Sequence, residues 1–432
     1  MKLLLIFFTL LIFSCSSDKD KKVDLEIFKK QGEKINVFEV NNVFDKEVDS
    51  KSILQLNQAQ LNKKWTYEHY SSNNFYDHLV YEGKFQDIFK KNIGDYINKN
   101  NDSGSLLVFE NFIFFSDEKG RIYKFDLNSQ KTIWELKIYD SSYNDYPKNI
   151  ALFLNADVLY AADNLGFVYS IDTQTGKTIW QQNYGIPFSS HLNFHKGVLY
   201  VVNQNSRLYA FNPSDGQKIW SFESLSGLIK PSRSSNISLY DNKLLFSNDV
   251  GDITAIDLDQ QVIIWTKNIL SQNSISNNLV FKISNILIDK KEVFVSSNSG
   301  DLFNFNVESG EIKWSQKLTS IQNHISTDKY LFVLTENGFV VAFNKTNGNI
   351  LWSVNLSKLS KDSKIKVDYY GLLLASNNLY ATSSNGDIYK ISALDGKYIS
   401  HKKINSDLSR APIVVDNKIF ILNRSSELII LN

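Results

Sequence analysis

Cysteine, methionine and proline are scarce in this sequence: its 432 residues include one Cys, one Met and five Pro. With Cys15 alone, the chain can form neither an intrachain disulfide, nor a CxxC redox motif, nor a thiolate metal cluster. Basic and acidic residues almost cancel, 47 against 46. The balance gives no sign of the basic surface that a nucleic-acid-binding protein needs. HExxH, GxSxG and Walker-type motifs are also absent, so the sequence carries no common signature of a zinc protease, serine hydrolase or nucleotide-binding enzyme.

Histidine is also rare and scattered, with six residues in the chain. His191 and His195 are four positions apart, which is the spacing of two metal ligands on one face of a helix. They flank a predicted strand instead, so we expect them to pack or to lie on the surface. No metal site is predicted.

The first residues, MKLLLIFFTLLIFSCSS, have the pattern of a secretory signal peptide: Lys2 is followed by an apolar run over residues 3–13. This run is too short to span a bilayer as a mature helix. Residues 12–15 resemble the lipobox of bacterial lipoproteins, in which the cysteine becomes the lipidated first residue. We therefore predict a signal peptide at residues 1–14 and lipidation at Cys15. The alternative is a plain secretory signal in which Cys15 is incidental.

The stretch that follows, SSDKDKKVD, is polar and charged, which is typical of a flexible tether. We assign residues 15–59 to a lipid-anchored tether and N-terminal segment. Several acyl chains on Cys15 would anchor the protein stably in a membrane. Ser16 rather than Asp follows Cys15, and in enterobacterial lipoproteins this implies export to the outer membrane. The expected location is the periplasmic face of that membrane.

One phrase, GFVYSIDTQTGKTIW at residues 166–180, recurs along the chain. Its turn residue, Asp and Trp are spaced six and then eight positions apart, as in Gly166, Asp172 and Trp180. Seven units keep this frame without an insertion, although individual positions vary. The Trp residues recur at intervals of 38 to 49 positions, a period typical of β-propeller blades. They are Trp134, Trp180, Trp220, Trp265, Trp314 and Trp352.

Each unit contains four short stretches rich in β-branched and aromatic residues, separated by turns with Asp, Asn and Gly. In the unit around Trp180 these are ALFLN, VLYAA, FVYSID and TIWQQNY. A single blade cannot cover both of its own faces, whereas blades arranged around an axis bury one another. The sequence therefore predicts an all-β fold over residues 60–432, a β-propeller of four-stranded antiparallel blades.

The repeated Trp has a fixed position relative to the turns of its unit. We therefore predict that it packs between neighbouring blades; the alternative is an array of Trp rings that stack on carbohydrate. Phe89 is predicted to take the place of this Trp in the blade where the ring closes.

The last unit, NKIFILNRSSELIILN, stops before its outer strand, so another segment must complete the ring. From each Trp to the next turn residue there are 24 to 35 positions. Phe89 lies 31 positions before Gly120 and fits this spacing, whereas Trp65 lies 55 positions before it. We predict that residues 86–93 form the closing strand of an eight-bladed propeller. Trp65 is then expected in a preceding segment that lies on the ring.

The units TQTGKTIW and DGKYIS resemble the PQQ-type, quinoprotein-like propeller repeat, whereas the Gly-His and Trp-Asp signatures of WD repeats are absent. Eight such repeats behind a lipobox resemble the BamB family. The segment KKQGEKINVFEV is similar to one in its alphaproteobacterial members. The resemblance implies a protein that is not an enzyme and has no cofactor. It would bind the POTRA domains of BamA and other barrel-assembly subunits, and help unfolded outer-membrane proteins to reach the barrel.

Members of the family are expected to bind their partner through loops between neighbouring blades, one of which presents apolar residues followed by Arg. In SLSGLIKPSRSS, that position is taken by Leu228, Ile229 and Lys230, with Arg233 nearby. The next loop is acidic in the family, but here SQNSISNNLVFKIS has no acid and carries Lys282. A solvated loop without a partner is the alternative for these residues.

Two other functions remain as alternatives. Quinoprotein dehydrogenases share the repeat, but the resemblance to them implies an adjacent-cysteine disulfide and a metal-side Asp base. This chain has one Cys, and Asp126, Asp172 and Asp257 recur at one repeat position where we expect them to cap turns. A hard cation needs several converging oxygens, and no such cluster is predicted. A generic lipid-anchored scaffold for another envelope protein or a glycan would use the same ring and loops.

Overall fold

Short antiparallel strands account for almost all regular structure in the computed structural model, which describes residues 44–95, 106–230, 235–270, 280–359, 367–404 and 408–432. The predicted signal peptide, Cys15, most of the tether and Arg233 lie outside these ranges. None of the helices within them is long and apolar enough to cross a membrane. The only helical pieces described are 3-10 turns at Ser141–Tyr143 and Leu356–Leu359.

The strands of the described residues are β1 (Lys64–Trp65), β2 (Asp87–Asn92), β3 (Leu107–Phe109), β4 (Phe112–Ser116), β5 (Arg121–Asp126), β6 (Lys131–Lys137), β7 (Ile150–Asn155), β8 (Val158–Asp163), β9 (Phe167–Asp172), β10 (Thr178–Asn183), β11 (Asn193–His195), β12 (Val198–Val202), β13 (Arg207–Phe211), β14 (Lys218–Glu223), β15 (Ile237–Tyr240), β16 (Lys243–Ser247), β17 (Asp252–Asp257), β18 (Val262–Asn268), β19 (Leu287–Asp289), β20 (Glu292–Ser296), β21 (Asp301–Asn306), β22 (Ile312–Lys317), β23 (Ile325–Ser326), β24 (Tyr330–Leu334), β25 (Phe339–Asn344), β26 (Ile350–Asn355), β27 (Tyr369–Ala375), β28 (Asn378–Ser383), β29 (Asp387–Ser392), β30 (Tyr398–Lys403), β31 (Ile413–Val415), β32 (Lys418–Leu422) and β33 (Glu427–Leu431).

These strands form eight sheets, and each sheet is one blade. Blades 2 to 7 each contain four consecutive strands, from β7–β10 to β27–β30. Blade 1 contains β3 to β6, with β1 added at the inner edge. Blade 8 contains β31, β32, β33 and β2. The predicted eight-bladed β-propeller of four-stranded antiparallel blades is confirmed, with an extra strand in blade 1.

Closure of the ring takes place in blade 8, where β2 pairs antiparallel with β33. Phe89 lies opposite Ile430, after a register shift between Asp87 and Phe89. Blade 2 shows the same shift between Thr178 and Trp180. Phe89 therefore takes the position that Trp holds in the consecutive blades, and the prediction that an N-terminal strand closes the ring is confirmed.

The conserved spacing within a unit reflects two turn geometries. The turn residue between the second and third strands has a positive φ in every blade, 91° at Gly166 for example, a conformation that favours glycine. The Asp after the third strand caps the next turn: Asp172 Oδ1 accepts the N–H groups of Gln174 and Thr175 at 3.1 and 2.7 Å. Hydrogen bonds from Thr175 hold the pKa of Asp172 below its usual value.

The repeated Trp residues lie against the following blade. Trp180 Nε1 donates to the carbonyl of Pro213 at 2.9 Å, and a Cβ at Gly216 would lie only 2.5 Å from the Trp180 ring. The same glycine contact recurs at Trp134, Trp265, Trp314 and Trp352. Trp220 lacks this glycine contact; it packs against Tyr200 of its own blade, with ring centroids 5.9 Å apart, and against a core that includes Ile256 and Leu258 of the following blade.

An antiparallel blade places its connections on two opposite faces of the ring. We call one the turn face: it carries the turns between the first and second strands and between the third and fourth. The loop face carries the turns between the second and third strands and the longer connections to the next blade. The candidate site is on the loop face.

Candidate partner-binding site

The axis of the ring is filled from the turn face by residues 57–82, which we call the central segment. Its irregular backbone satisfies donors of several inner strands: the carbonyls of Thr66 and Ser72 accept the N–H groups of Leu154 and Leu239 at 3.0 and 2.9 Å. Farther along, the Leu79 N–H donates to the Leu374 carbonyl at 3.0 Å. Blades 2, 4 and 7 are thus tied to one segment.

The central segment also supplies the aromatic core of the axis. Trp65, expected on the ring, is buried in β1 opposite Val108, and its ring meets those of Tyr70 and Tyr76 at 5.0 and 5.8 Å. Upstream, Val48 pairs with Ser353 at the outer edge of blade 6, and Leu54 is buried. Residues before 60 therefore also contact the propeller.

Above the central segment, the loop face opens into an axial cavity of about 580 Å³. Its floor includes Trp65, Glu68, His69 and Tyr76, and its walls come from the connections between blades. Charges of both signs line it, namely those of Glu68, Lys282, Glu336, Asp368, Arg410 and Arg424. The cavity is therefore polar and mixed in charge.

The buried groups around this cavity are packed rather than arranged for metal binding. His191 is buried, stacks edge-on against His69 at 4.8 Å, and its Nε2 lies 2.9 Å from the Ile237 carbonyl oxygen. His195 is outside this cavity, half-buried at the turn-face end of β11, and partial burial lowers its pKa. Burial also raises the pKa of Tyr369 to about 12, so its hydroxyl stays protonated at neutral pH. Within the described ranges, no group of three or more His, Cys, Asp or Glu side chains could hold a metal ion.

The connections on either side of blade 4 lie on the loop face, and described residues of each line the axial cavity. The first leaves β14, and its inner end contributes Ser235 and Asn236 to the cavity wall. The second leaves β18 and contributes Lys282 near its inner end. Three of the predicted partner residues, Leu228, Ile229 and Lys230, are thus on the same face as Lys282, and Arg233 lies outside the described residues.

Three large apolar side chains of the first connection are exposed, and we call them the apolar tip: Leu225, Leu228 and Ile229. Leu225 is 72% exposed, Ile229 is 62% exposed and Leu228 is fully exposed. Burying one such side chain would stabilise the fold by about 1.5–3 kcal/mol. Stability of the fold therefore gives no reason for leaving three of them exposed. Neighbouring apolar groups left exposed are typical of an interaction site.

The lysine of the same motif turns toward the protein. Lys230 Nζ lies 3.5 Å from Asp249 Oδ2 and also contacts Ser226 Oγ. Asp249 is in the turn between β16 and β17, and its side chain is almost completely buried. The spacing of the repeat gives no signal of this pair.

Comparison with known families gives a match over most of the propeller. The family model of outer membrane protein assembly factor BamB matches residues 118–354 and 336–432, which is more than half of the sequence. The chain belongs to the BamB family. Among curated relatives, it is 22% identical over 323 residues to outer membrane protein assembly factor BamB of Yersinia pestis. That match covers 72% of this chain and 80% of the relative.

Solved structures show how widely the fold of the BamB family is shared. BamB from Moraxella catarrhalis superposes with a TM-score of 0.64 at 13% identity, covering 80% of this chain and 99% of that one. A europium-containing methanol dehydrogenase gives a TM-score of 0.67 at 11% identity, covering 83% and 89%. At such identities the likeness concerns the fold alone, so the fold does not separate a scaffold from an enzyme.

The likeness to a dehydrogenase raises the question of a metal-bound quinone cofactor in this BamB-family chain. Such a site needs several ligands that converge on the metal, and the described residues contain no group of three or more His, Cys, Asp or Glu side chains that could hold one. The central segment also places Trp65, Tyr70 and Tyr76 at the axis. The described residues therefore do not fit a metal-bound quinone.

Proposed function

We propose that this BamB-family chain is a non-enzymatic scaffold of the outer-membrane β-barrel assembly machinery. It is anchored by lipid at Cys15 on the periplasmic face of the outer membrane. It binds the POTRA domains of BamA, alongside other assembly subunits, and assists the insertion of outer-membrane proteins. Family membership supports this role, and the observation that carries it is the apolar tip on the loop face.

The tip has the properties of a binding hot spot. A few residues that are well packed at the centre of a contact usually provide most of its binding energy. Here Leu228 and Ile229 stand on a connection whose two ends continue into β14 and β15.

Isothermal titration calorimetry of the full-length protein in detergent, against the POTRA region of BamA from the same organism, tests the proposal. Leu228→Asp and Ile229→Asp should each weaken binding by roughly 10- to 100-fold, because a carboxylate must then be desolvated in an apolar contact. Thermal unfolding should be unchanged, since both side chains are already exposed.

Ile179→Asp provides a matched control, because Ile179 is 54% exposed on the outer strand of blade 2. It should leave the affinity unchanged. Equal loss of binding in Ile179→Asp and Ile229→Asp would argue against a localised site at the tip.

The alternative scaffold function predicts a different result. A folded wild-type protein that gives no heat with the POTRA region would favour a generic lipid-anchored propeller that binds another envelope protein or glycan. The dehydrogenase alternative predicts saturable binding of pyrroloquinoline quinone with Ca²⁺. We expect none in a spectroscopic titration.

A further inference from the structure

The buried carboxylate of Asp249 lies beneath the apolar tip and organises the connection that carries it. Asp249 Oδ1 accepts the Gly227 N–H at 2.9 Å and the Ser206 hydroxyl at 3.2 Å. Asp249 Oδ2 accepts the Ser226 hydroxyl at 3.4 Å and lies 3.5 Å from Lys230 Nζ. Only 1% of the Asp249 side chain is exposed, against 30% for Lys230.

These contacts fix both sides of the tip. Gly227 and Lys230 are held to one carboxylate, and the two residues between them, Leu228 and Ile229, extend into solvent. A Cβ at Gly227 would lie 3.3 Å from Val250 and 3.7 Å from the Asp249 carboxylate, which shows how closely the backbone approaches. The exposure of the tip therefore follows from the position of Asp249.

Ser206 is a second sign that this arrangement is built into the sequence. It occupies the turn position of blade 3 with a φ of 56°, where six of the other turns have Gly. A non-glycine residue in this conformation is strained, because its Cβ approaches the following carbonyl oxygen too closely. Ser206 is buried, and its hydroxyl donates to Asp249 across the boundary between blades.

Blade 8 shows the same exchange at the other exception. Ser426, with a φ of 53°, replaces Gly at the corresponding turn, and its hydroxyl donates to the Asp95 carbonyl in the connection toward blade 1. In both blades the replacement of Gly by Ser supplies a hydrogen bond between the turn and a neighbouring element of the loop face. The serine at 206 thus serves the loop face rather than the blade alone.

From these contacts we infer that Asp249 is the positioning residue of the partner-binding connection, and that Lys230 acts through Asp249 rather than by touching the partner. The inference rests on the proposed function. The charge of Lys230 is matched by Asp249 within the protein, so the described part of the tip offers the partner apolar side chains. The complementary surface is an apolar pocket, and charge pairing across the interface contributes little.

Calorimetry of full-length variants with the POTRA region tests the inference. Asp249→Ala removes the acceptor for Gly227 and Ser206, and Lys230→Met leaves a buried carboxylate without its counter-charge, so each should weaken binding by roughly tenfold or more. The double variant Lys230→Met/Asp249→Asn keeps an acceptor oxygen and has no unmatched charge. Its affinity should lie within roughly threefold of wild type.

A double variant as weak as Lys230→Met would show that Lys230 touches the partner, and the inference would be wrong. Full affinity of Asp249→Ala would equally overturn it. The wild-type dissociation constant should also change less than about threefold between about 50 and about 300 mM NaCl, because no charge pair is expected across the interface. A steep salt dependence would contradict the inference.

A measurement without the partner separates this inference from the proposed function. Hydrogen exchange at the Gly227 amide should accelerate by roughly tenfold or more in Asp249→Ala, because its acceptor is lost. The double variant should exchange like wild type. If the wild type does not bind the POTRA region but exchange behaves as expected, the function fails while Asp249 keeps its positioning role. Unchanged exchange in Asp249→Ala overturns that role.

Discussion

On the turn face, seven of the eight turns between the first and second strands contain two residues, such as residues 156–157. On the loop face, the connections between described blades range from seven residues at 318–324 to 18 at 269–286. The turn face repeats because each turn must fit the same twist and the same neighbouring blade. The connections between blades on the loop face are free of this constraint, so their residues can differ between blades and carry binding.

This difference leads to a separation that mutations can test. Substitutions on the turn face should lower the free energy of unfolding without changing the affinity of the folded protein for its partner. Substitutions at the exposed tip of the loop face should change the affinity for the partner without lowering the free energy of unfolding. A group that is buried on the loop face provides the sharpest test. Its face suggests an effect on binding, whereas its burial suggests an effect on stability.

The largest effect is expected at a buried ion pair on the turn face. Lys345 contacts the Asp289 carboxylate of the neighbouring blade and donates to the Thr327 carbonyl at 2.9 Å; both charged side chains are less than 10% exposed. Lys345→Met should lower the free energy of unfolding by about 3–5 kcal/mol in urea denaturation, because Asp289 remains buried and charged. The affinity for the POTRA region should not change.

Lys313→Met is the control for this change, because Lys313 pairs with Glu292 at 2.9 Å while 37% exposed. Its removal should cost less than about 1 kcal/mol. Comparable losses in the two variants would mean that burial does not decide the strength of these pairs.

The next effect is expected at two glycines of blade 3 that share a backbone conformation. Gly216 and Gly197 have φ values of 72° and 78°, but an added Cβ would lie 2.5 Å from Trp180 at Gly216 and meet nothing within 4 Å at Gly197. Both alanine variants are strained by about 1–2 kcal/mol. Gly216→Ala should lose about 1–3 kcal/mol more, because the Trp180 contact must shift.

Urea denaturation of the two variants measures the contact between blades directly. Equal losses of unfolding free energy in Gly216→Ala and Gly197→Ala would show that the Trp180 ring can shift at little cost. Its packing against blade 3 would then contribute little to stability.

The smallest effect is a pH dependence on the loop face. His324 is fully buried, its Nε2 lies 2.9 Å from Ser296 Oγ, and burial lowers its pKa to about 3. The folded state keeps this ring neutral, whereas the unfolded chain protonates it below about pH 6.5. Its contribution to stability is therefore present above pH 6.5 and is lost as the pH falls toward 3.

Between about pH 7.5 and about pH 5.5, wild type should lose about 1 kcal/mol more unfolding free energy than His324→Gln. Urea denaturation at both pH values measures the difference. Parallel pH dependence in the two proteins would show that His324 already carries a proton in the fold.

The sequence was sufficient for the blades because their spacing is dictated by local geometry. Gly166, Asp172 and Trp180 mark a positive-φ turn, a capped turn and a contact with the next blade, and each needs a particular residue type. Phe89 could be assigned to the closing strand because it keeps the same distance to the next turn as the Trp residues do.

The central segment could not be predicted in the same way. Residues 57–82 have no period, since each backbone group meets a different blade, as Thr66 and Leu79 do in blades 2 and 7. Such a segment is specified by the ring around it rather than by its own pattern.

The candidate site was predictable only in outline. The exposed apolar residues Leu228 and Ile229 could be located from the resemblance, and the structure shows them exposed. The direction of Lys230 depends on Asp249, which is buried, belongs to another turn and has no fixed spacing from it. Ser206 was visible as a departure from Gly, but only its contact with Asp249 gives that departure a meaning.

The closing strand also has a consequence for the order of folding. Blade 8 joins β2 to β33, and the Asn92 side chain donates to the Ser425 carbonyl, 333 positions away in the sequence, at 2.6 Å. Consecutive strands can pair as soon as they are synthesised. Blade 8, in contrast, needs residues from opposite ends of the propeller sequence. Contacts of such long range form slowly, because loop closure precedes any gain from pairing. Ring closure should therefore be the late, rate-limiting event, with β2 an unpaired edge until β33 arrives.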